Sequence, residues 1–249
     1  MMKGVLALSA LSVSACAHAP TPVVVVPGLA VKFETSARAD TVVYRRSILT
    51  GTRDSSAGSR TVVLRIDRST PGIRHLEVEQ RFPAGGGIIV DTAIAELPGL
   101  RAVAHRSHQP TRTMRFEFGD VQASGVVTPR DSAGQTVQQD VGGLIFDSNI
   151  LDLVVASLPL RAGLTAELPF FIYERGGRVP MSVNVRERAA VEFGGLGRRD
   201  AWVVSVGVPG APATIWVDAK TRAVLRTRYD ITARSFSMID ERVTPLPPD

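Results

Sequence analysis

The sequence predicts an all-β fold. The expected architecture is a strongly curved antiparallel sheet, a half-barrel with one short buried helix; a β-sandwich is the alternative. Three observations predict it. Run after run alternates apolar and polar residues at period two, as in 61–67 (TVVLRID) and 74–82 (RHLEVEQRF), the mark of strands with one wet face. Turns bearing glycine and proline separate the runs, among them Ser69-Thr70-Pro71-Gly72 and Gly176-Gly177,. Only one stretch, 146–163, reads as a helix, so the alternating βα units of a doubly wound fold are absent.

The N-terminus reads as a processing signal. Lys3 is a short basic region and 5–13 an apolar one, too short to span a membrane. Val13-Ser14-Ala15-Cys16 follows and resembles the lipobox of bacterial lipoproteins. The resemblance implies cleavage of 1–15 and lipidation of Cys16, the sole cysteine. Such proteins carry more than one acyl chain, which is what stable anchoring requires. Cleavage after Ala17 is the alternative, because Ala15-Cys16-Ala17 also fits a small-x-small site. The absence of aspartate after Cys16 points to the outer membrane, periplasmic face; a soluble periplasmic or secreted protein is the other outcome. Residues 16–28 contain Pro20, Pro22 and Pro27 and read as an extended tether.

A single β domain is expected over 29–243. Strands are predicted at 41–49, 61–67, 74–82, 88–97 and 100–107, with 55–59 (SSAGS) as a polar loop,. Residues 113–118 place Met114, Phe116 and Phe118 on one side, and Gly119-Asp120 is a two-residue hairpin turn into 121–127,. A weaker strand is predicted at 136–141. In 146–163, Asn149 is the expected N-cap with Asp152 as its capping-box partner. Ile150, Leu151, Leu153, Val154, Val155 and Leu158 cover nearly every helix face, so the helix is buried or plugs something, and Pro159 ends it. Strands follow over 166–174, 179–188, 202–208, 214–217, 223–231 and 234–243, with 191–200 holding a glycine-rich loop. That makes about a dozen strands by the period-two reading. The tail 244–249, with Pro245, Pro247 and Pro248, cannot join a ladder,.

The second half resembles a family of bacterial exported proteins known as the domain of unknown function numbered 3108. Leu151-Asp152 with the apolar run to Leu160-Arg161 and Gly163 resembles its helix-to-strand motif. GRRDAWVV at 197–204 resembles its glycine turn and strand, and Ile215-Trp216-Val217-Asp218 with 223–228 its closing hairpin. The resemblance spans 147–230. It implies a curved sheet like that of lipoprotein carriers, with a hydrophobic concave face, and no catalytic residues.

Composition narrows the function classes. Hydrophobic residues make up 44% and charged residues 21% of the 249, with a net charge of +5, so the chain is globular. The cations are nearly all arginine and are scattered through alternating strands, which reads as a solvated face rather than a nucleic-acid stripe. His105 and His108 are three apart at a strand end, where such residues point to opposite faces; no metal or other cofactor is expected. The sequence has no G-x-S-x-G elbow,, and no enzyme activity is expected, with a hydrolase as the remote reading. Glycines 85–87 and 194, 195 and 197 read as turns needing positive φ. Phe170, Phe171 and Ile172, like Ile88, Ile89 and Val90, are apolar on both strand faces, which fits two-sided burial. Trp202 and Trp216 lie in adjacent predicted strands; with Leu153, Val154 and Leu158 they are the candidate lining of an apolar site. The first functional reading is therefore a membrane-anchored lipoprotein that binds a lipid or other apolar molecule. The second is an envelope scaffold or interaction module with a filled core and a protein partner.

Overall fold

The computed structural model describes residues 22–27, 40–69, 72–208 and 210–246. The leader, Cys16, the first part of the tether, the start of the domain at Leu29, part of the Ser69–Gly72 turn and the end of the tail lie outside the described residues.

In chain order the strands are β1 (Val23–Val24), β2 (Asp40–Thr50), β3 (Arg53–Asp67), β4 (His75–Ala84), β5 (Gly87–Glu96), β6 (Arg101–His108), β7 (Arg112–Phe118), β8 (Gln122–Pro129), β9 (Gln135–Asp140) and β10 (Phe146–Asp147). Helix α1 (Leu151–Ala156) follows, and then β11 (Thr165–Ile172), β12 (Gly177–Phe193), β13 (Gly197–Gly207), β14 (Ala213–Asp218), β15 (Val224–Ile231) and β16 (Phe236–Arg242). All sixteen join one sheet. Its order is β1-β11-β12-β13-β14-β15-β16-β2-β3-β4-β5-β6-β7-β8-β9, with β10 beside β11. Among the described residues only the short β1 and β10 pair in parallel, both with β11. The fold is thus the single, open, curved sheet that was predicted, and not a sandwich.

The curl brings the two ends of the sheet together. Phe171 of β11 packs against Phe116 in a tilted pair and Phe118 in an edge-on pair from β7, with ring centroids 5.3 and 4.9 Å apart. Arg178 of β12 donates to the carbonyls of Val141 and Gly142, just beyond β9, at 3.2 and 2.8 Å. β-Bulges at Arg45/Ser47, Ile94/Ala95, Val185/Glu187 and Trp216/Val217 supply the bends that such curvature needs. Between Ala84 and Gly87 the turn is Gly85-Gly86, with φ of 58° and 84°; two successive positive φ values make a hairpin turn whose twist matches its strands.

Several expectations are corrected. The SSAGS stretch is not a loop but part of β3, because pairing with β2, from Ile48 to Arg45, carries it into the ladder; tertiary pairing outweighs local propensity. The link between β7 and β8 has three residues, closed by Gly119 N–H to the Gln122 carbonyl at 2.9 Å. The helix is only six residues long, preceded by a 3-10 turn over Ser148–Ile150. Phe170 and Phe171 do face two cores, but Ile88 is 54% exposed, so the 88–90 run is not buried on both sides. The described part of the tether is extended but docked: Val25 is buried and donates to the Glu167 carbonyl at 2.9 Å.

Candidate functional site: the filled concave face

The helix occupies the concave side of the sheet. Ile150, Val154, Val155 and Leu158 are wholly buried in the main core, together with Val78, Val183, Val204 and Ile215 from strands around the curve. At its C-terminal end Ser157 Oγ donates to the Leu153 carbonyl at 2.7 Å, and just beyond it Arg222 Nη2 donates to the Leu158 carbonyl at 2.6 Å. The expected capping box is not formed. Asp147, not Asn149, caps the 3-10 turn, accepting from the Asn149 N–H at 2.9 Å. Asp152 divides its carboxylate instead: Oδ1 accepts from the Leu153 N–H at 2.9 Å and Oδ2 from buried Arg60 at 2.9 Å.

Of the proposed apolar lining, Leu153, Val154, Leu158 and Trp202 meet in this one core. Trp216 does not join them. The register pairs Trp202 with Val217 and Trp216 with Val203, which puts the two indoles on opposite faces of the sheet. Trp216 packs outside, against a small cluster of Phe193, Ala201 and Leu225, with the Arg226 guanidinium 5.5 Å from its ring.

A belt of buried charge crosses the same concave face. Asp240 accepts a bidentate pair from Arg46, at 2.7 and 2.8 Å. Arg60 Nη2 reaches Asp152 at 2.9 Å and its Nη1 donates to Gln80 at 3.2 Å. Arg60 Nε lies 3.3 Å from Asp240, an ion-pair distance without hydrogen-bond alignment. Gln80 in turn donates to the Asn149 carbonyl, so the sheet grips the plug at two points. The rings of Phe82 and Tyr44 lie 4.5 Å under Arg46 and Arg60. Burial works against the charge on Arg60, but Asp152 and Asp240 outweigh it and push its pKa up. Burial, reinforced by the Asp152 charge, pushes the Tyr44 hydroxyl up to about 12 and raises Tyr229 as well. The arginines expected on a solvated face are therefore divided: Arg46, Arg60 and Arg242 are 4–6% exposed. Their signal is their phase, because 42, 44 and 46, like 60, 62 and 64, alternate together on the inner side.

A second polar group lies along β5 and β6. His105 Nδ1 is 2.9 Å from Asp147, and Asp91 faces Ser107 across the ladder. Burial would lower the His105 pKa, but Asp147 more than reverses this and the net shift is upward. Burial raises Asp91, against the Ser107 hydrogen bond. His108 pairs with Val90 and Thr113 on the other face, as the spacing predicts. Among the described residues no three His, Cys, Asp or Glu side chains are placed to hold a metal ion. A shallow groove of about 300 Å3 opens at the far end of β15 and β16, beside Leu49, Arg228, Asp230 and Phe236. No described helix is long and apolar enough to cross a membrane.

Residues 50–237 match the family described as a protein of unknown function, DUF3108, and the chain belongs to that family. The match extends the resemblance over the first half of the domain. Among solved structures, a beta-barrel-like protein of domain of unknown function DUF1849 from Brucella abortus is similar at 11% identity, covering 91% of this chain and all of that one, with a TM-score of 0.47. A DUF1329 family protein from Desulfovibrio piger is similar at 10% identity over 85% and 86% of the two chains, with a TM-score of 0.26. No curated protein matches.

Proposed function

We propose that this member of the family is a non-enzymatic, lipid-tethered scaffold or interaction module of the cell envelope, facing the periplasm, whose own chain fills the concave face. One observation carries the choice over an open lipid carrier. The space an acyl chain would take is occupied by Ile150, Val154, Val155 and Leu158, each at 0% exposure. Exposing four such side chains costs roughly 6–12 kcal/mol, a barrier to lipid entry unless the ligand refills the whole volume.

Native mass spectrometry of the purified protein tests the filled core. A ligand-free mass that gains no lipid on incubation with phospholipid is expected; a co-purified lipid overturns it. The tether rests on Cys16. In membranes washed with concentrated salt, which strips charge-held proteins, Cys16→Ser is expected to move the protein to the soluble fraction, and unchanged fractionation under that wash removes that part of the reading.

A further inference from the structure

Exposed arginines such as Arg65, Arg81 and Arg188 sit beside carboxylates. Arg106 and Arg115 do not. They are direct cross-strand partners on β6 and β7, and neither side chain makes an ion pair or hydrogen bond with a described residue. Directly opposed like charges, with Cβ atoms about 5 Å apart, are destabilising. An anion placed between them removes that cost.

The register defines what surrounds them. One row runs straight across five strands: Thr92, Arg106, Arg115, Val126, Thr136. In the next row on the same face His108 pairs with Thr113. Glu117, opposite Ala104 and Ser124, lies one row to the other side. Val126 is 42% exposed within the row, and Ile88 projects at 54% from the edge of the patch. Two guanidinium groups, hydroxyl donors and two protruding aliphatic side chains together suit a surface of phosphodiesters over hydrocarbon.

We propose that this outward face of β5–β9 docks on an anionic bilayer, with lipid phosphates bridging Arg106 and Arg115 and with Ile88 and Val126 seated among the headgroups. The inference rests on the tethered reading for its setting, so the test removes the tether. Chain carrying Cys16→Ser is sedimented with vesicles of phosphatidylglycerol or of phosphatidylcholine; the leader is common to all variants and cancels. Binding to phosphatidylglycerol is expected, with little to phosphatidylcholine, and it should weaken as salt is raised. At ~1 kcal/mol per basic side chain at such a surface, Arg106→Gln with Arg115→Gln should weaken it about thirty-fold. Arg186→Gln with Arg198→Gln removes the same charge from β12 and β13 and should weaken it far less. The Arg106/Arg115 double variant should fold with unchanged circular dichroism and unfold at slightly higher urea, because the opposed charges are gone. Equal weakening by both double variants, no preference for phosphatidylglycerol, or tighter binding to a soluble sulfated polysaccharide than to vesicles each overturns the proposal.

Discussion

The same pair of residue types does two different jobs on the two sides of this sheet. On the outer side Arg65 meets Glu77 at 2.8 Å with the two side chains 49% and 35% exposed. On the inner side Arg60 meets Asp152 at 2.9 Å with both at 8% exposure or less. The distances are alike, so geometry does not distinguish them; solvent does. In water the attraction is screened and close to neutral for stability. Inside, desolvation makes the pair costly to assemble and costlier to break, since either partner left alone is an uncompensated buried charge. The inner pair is therefore better understood as a register pin for the plug than as a source of stability.

Breaking that pin should have the largest effect. Asp152→Ala is expected to cost about 3–5 kcal/mol in urea unfolding, while the matched apolar pair Arg60→Met with Asp152→Leu should recover most of it. A double variant as unstable as the single one would show that the charges themselves hold the fold. Next comes the packing of the plug: Leu158→Ala should cost about 2–5 kcal/mol, measured the same way, and a loss under ~1 kcal/mol would mean that the site collapses or that the plug is loose.

The pH dependence sharpens the contrast further. His105 has a folded-state pKa above its unfolded value, so its contribution is complete below the unfolded value and is lost as pH rises through the folded one. Asp91, also raised, acts in the same direction at lower pH. Stability of the native chain relative to His105→Gln should therefore fall as pH is raised from mildly acidic to alkaline in a urea titration; a flat difference would mean that the Asp147 pair does not form. The smallest effect belongs to the outer surface, where Arg65→Gln should leave the urea midpoint within experimental scatter.

How much of this was legible follows from which contacts are local. Strand rhythm, the glycine turns and the two-sided burial of Phe170 and Phe171 are properties of neighbours in the chain, and the sequence shows them. The belt is not local: Arg46 and Asp240 are 194 residues apart, and Arg60 and Asp152 are 92 apart. Alternation marks Arg46 and Arg60 as inward, but inward for an arginine has meaning only once a carboxylate is opposite it. The start of the helix departs from its local signals for a related reason. Asn149 and Asp152 satisfy a local capping pattern, yet the Asn149 N–H is taken by Asp147 and the Asp152 carboxylate by distant Arg60. Trp202 and Trp216 are neighbours by strand order, and only the pairing register places them back to back.

The position of β16 between β15 and β2 has a consequence for how the molecule is made. A chain that emerges N-terminus first presents β2 almost two hundred residues before the strand that completes its hydrogen bonding. Until then Arg46 lacks Asp240 and one side of β2 is an open ladder. Hairpins on either side can close as their strands appear, but this one pairing waits for nearly the whole chain and is expected to be the slow one; until it forms, the open side of β2 is where another chain can pair.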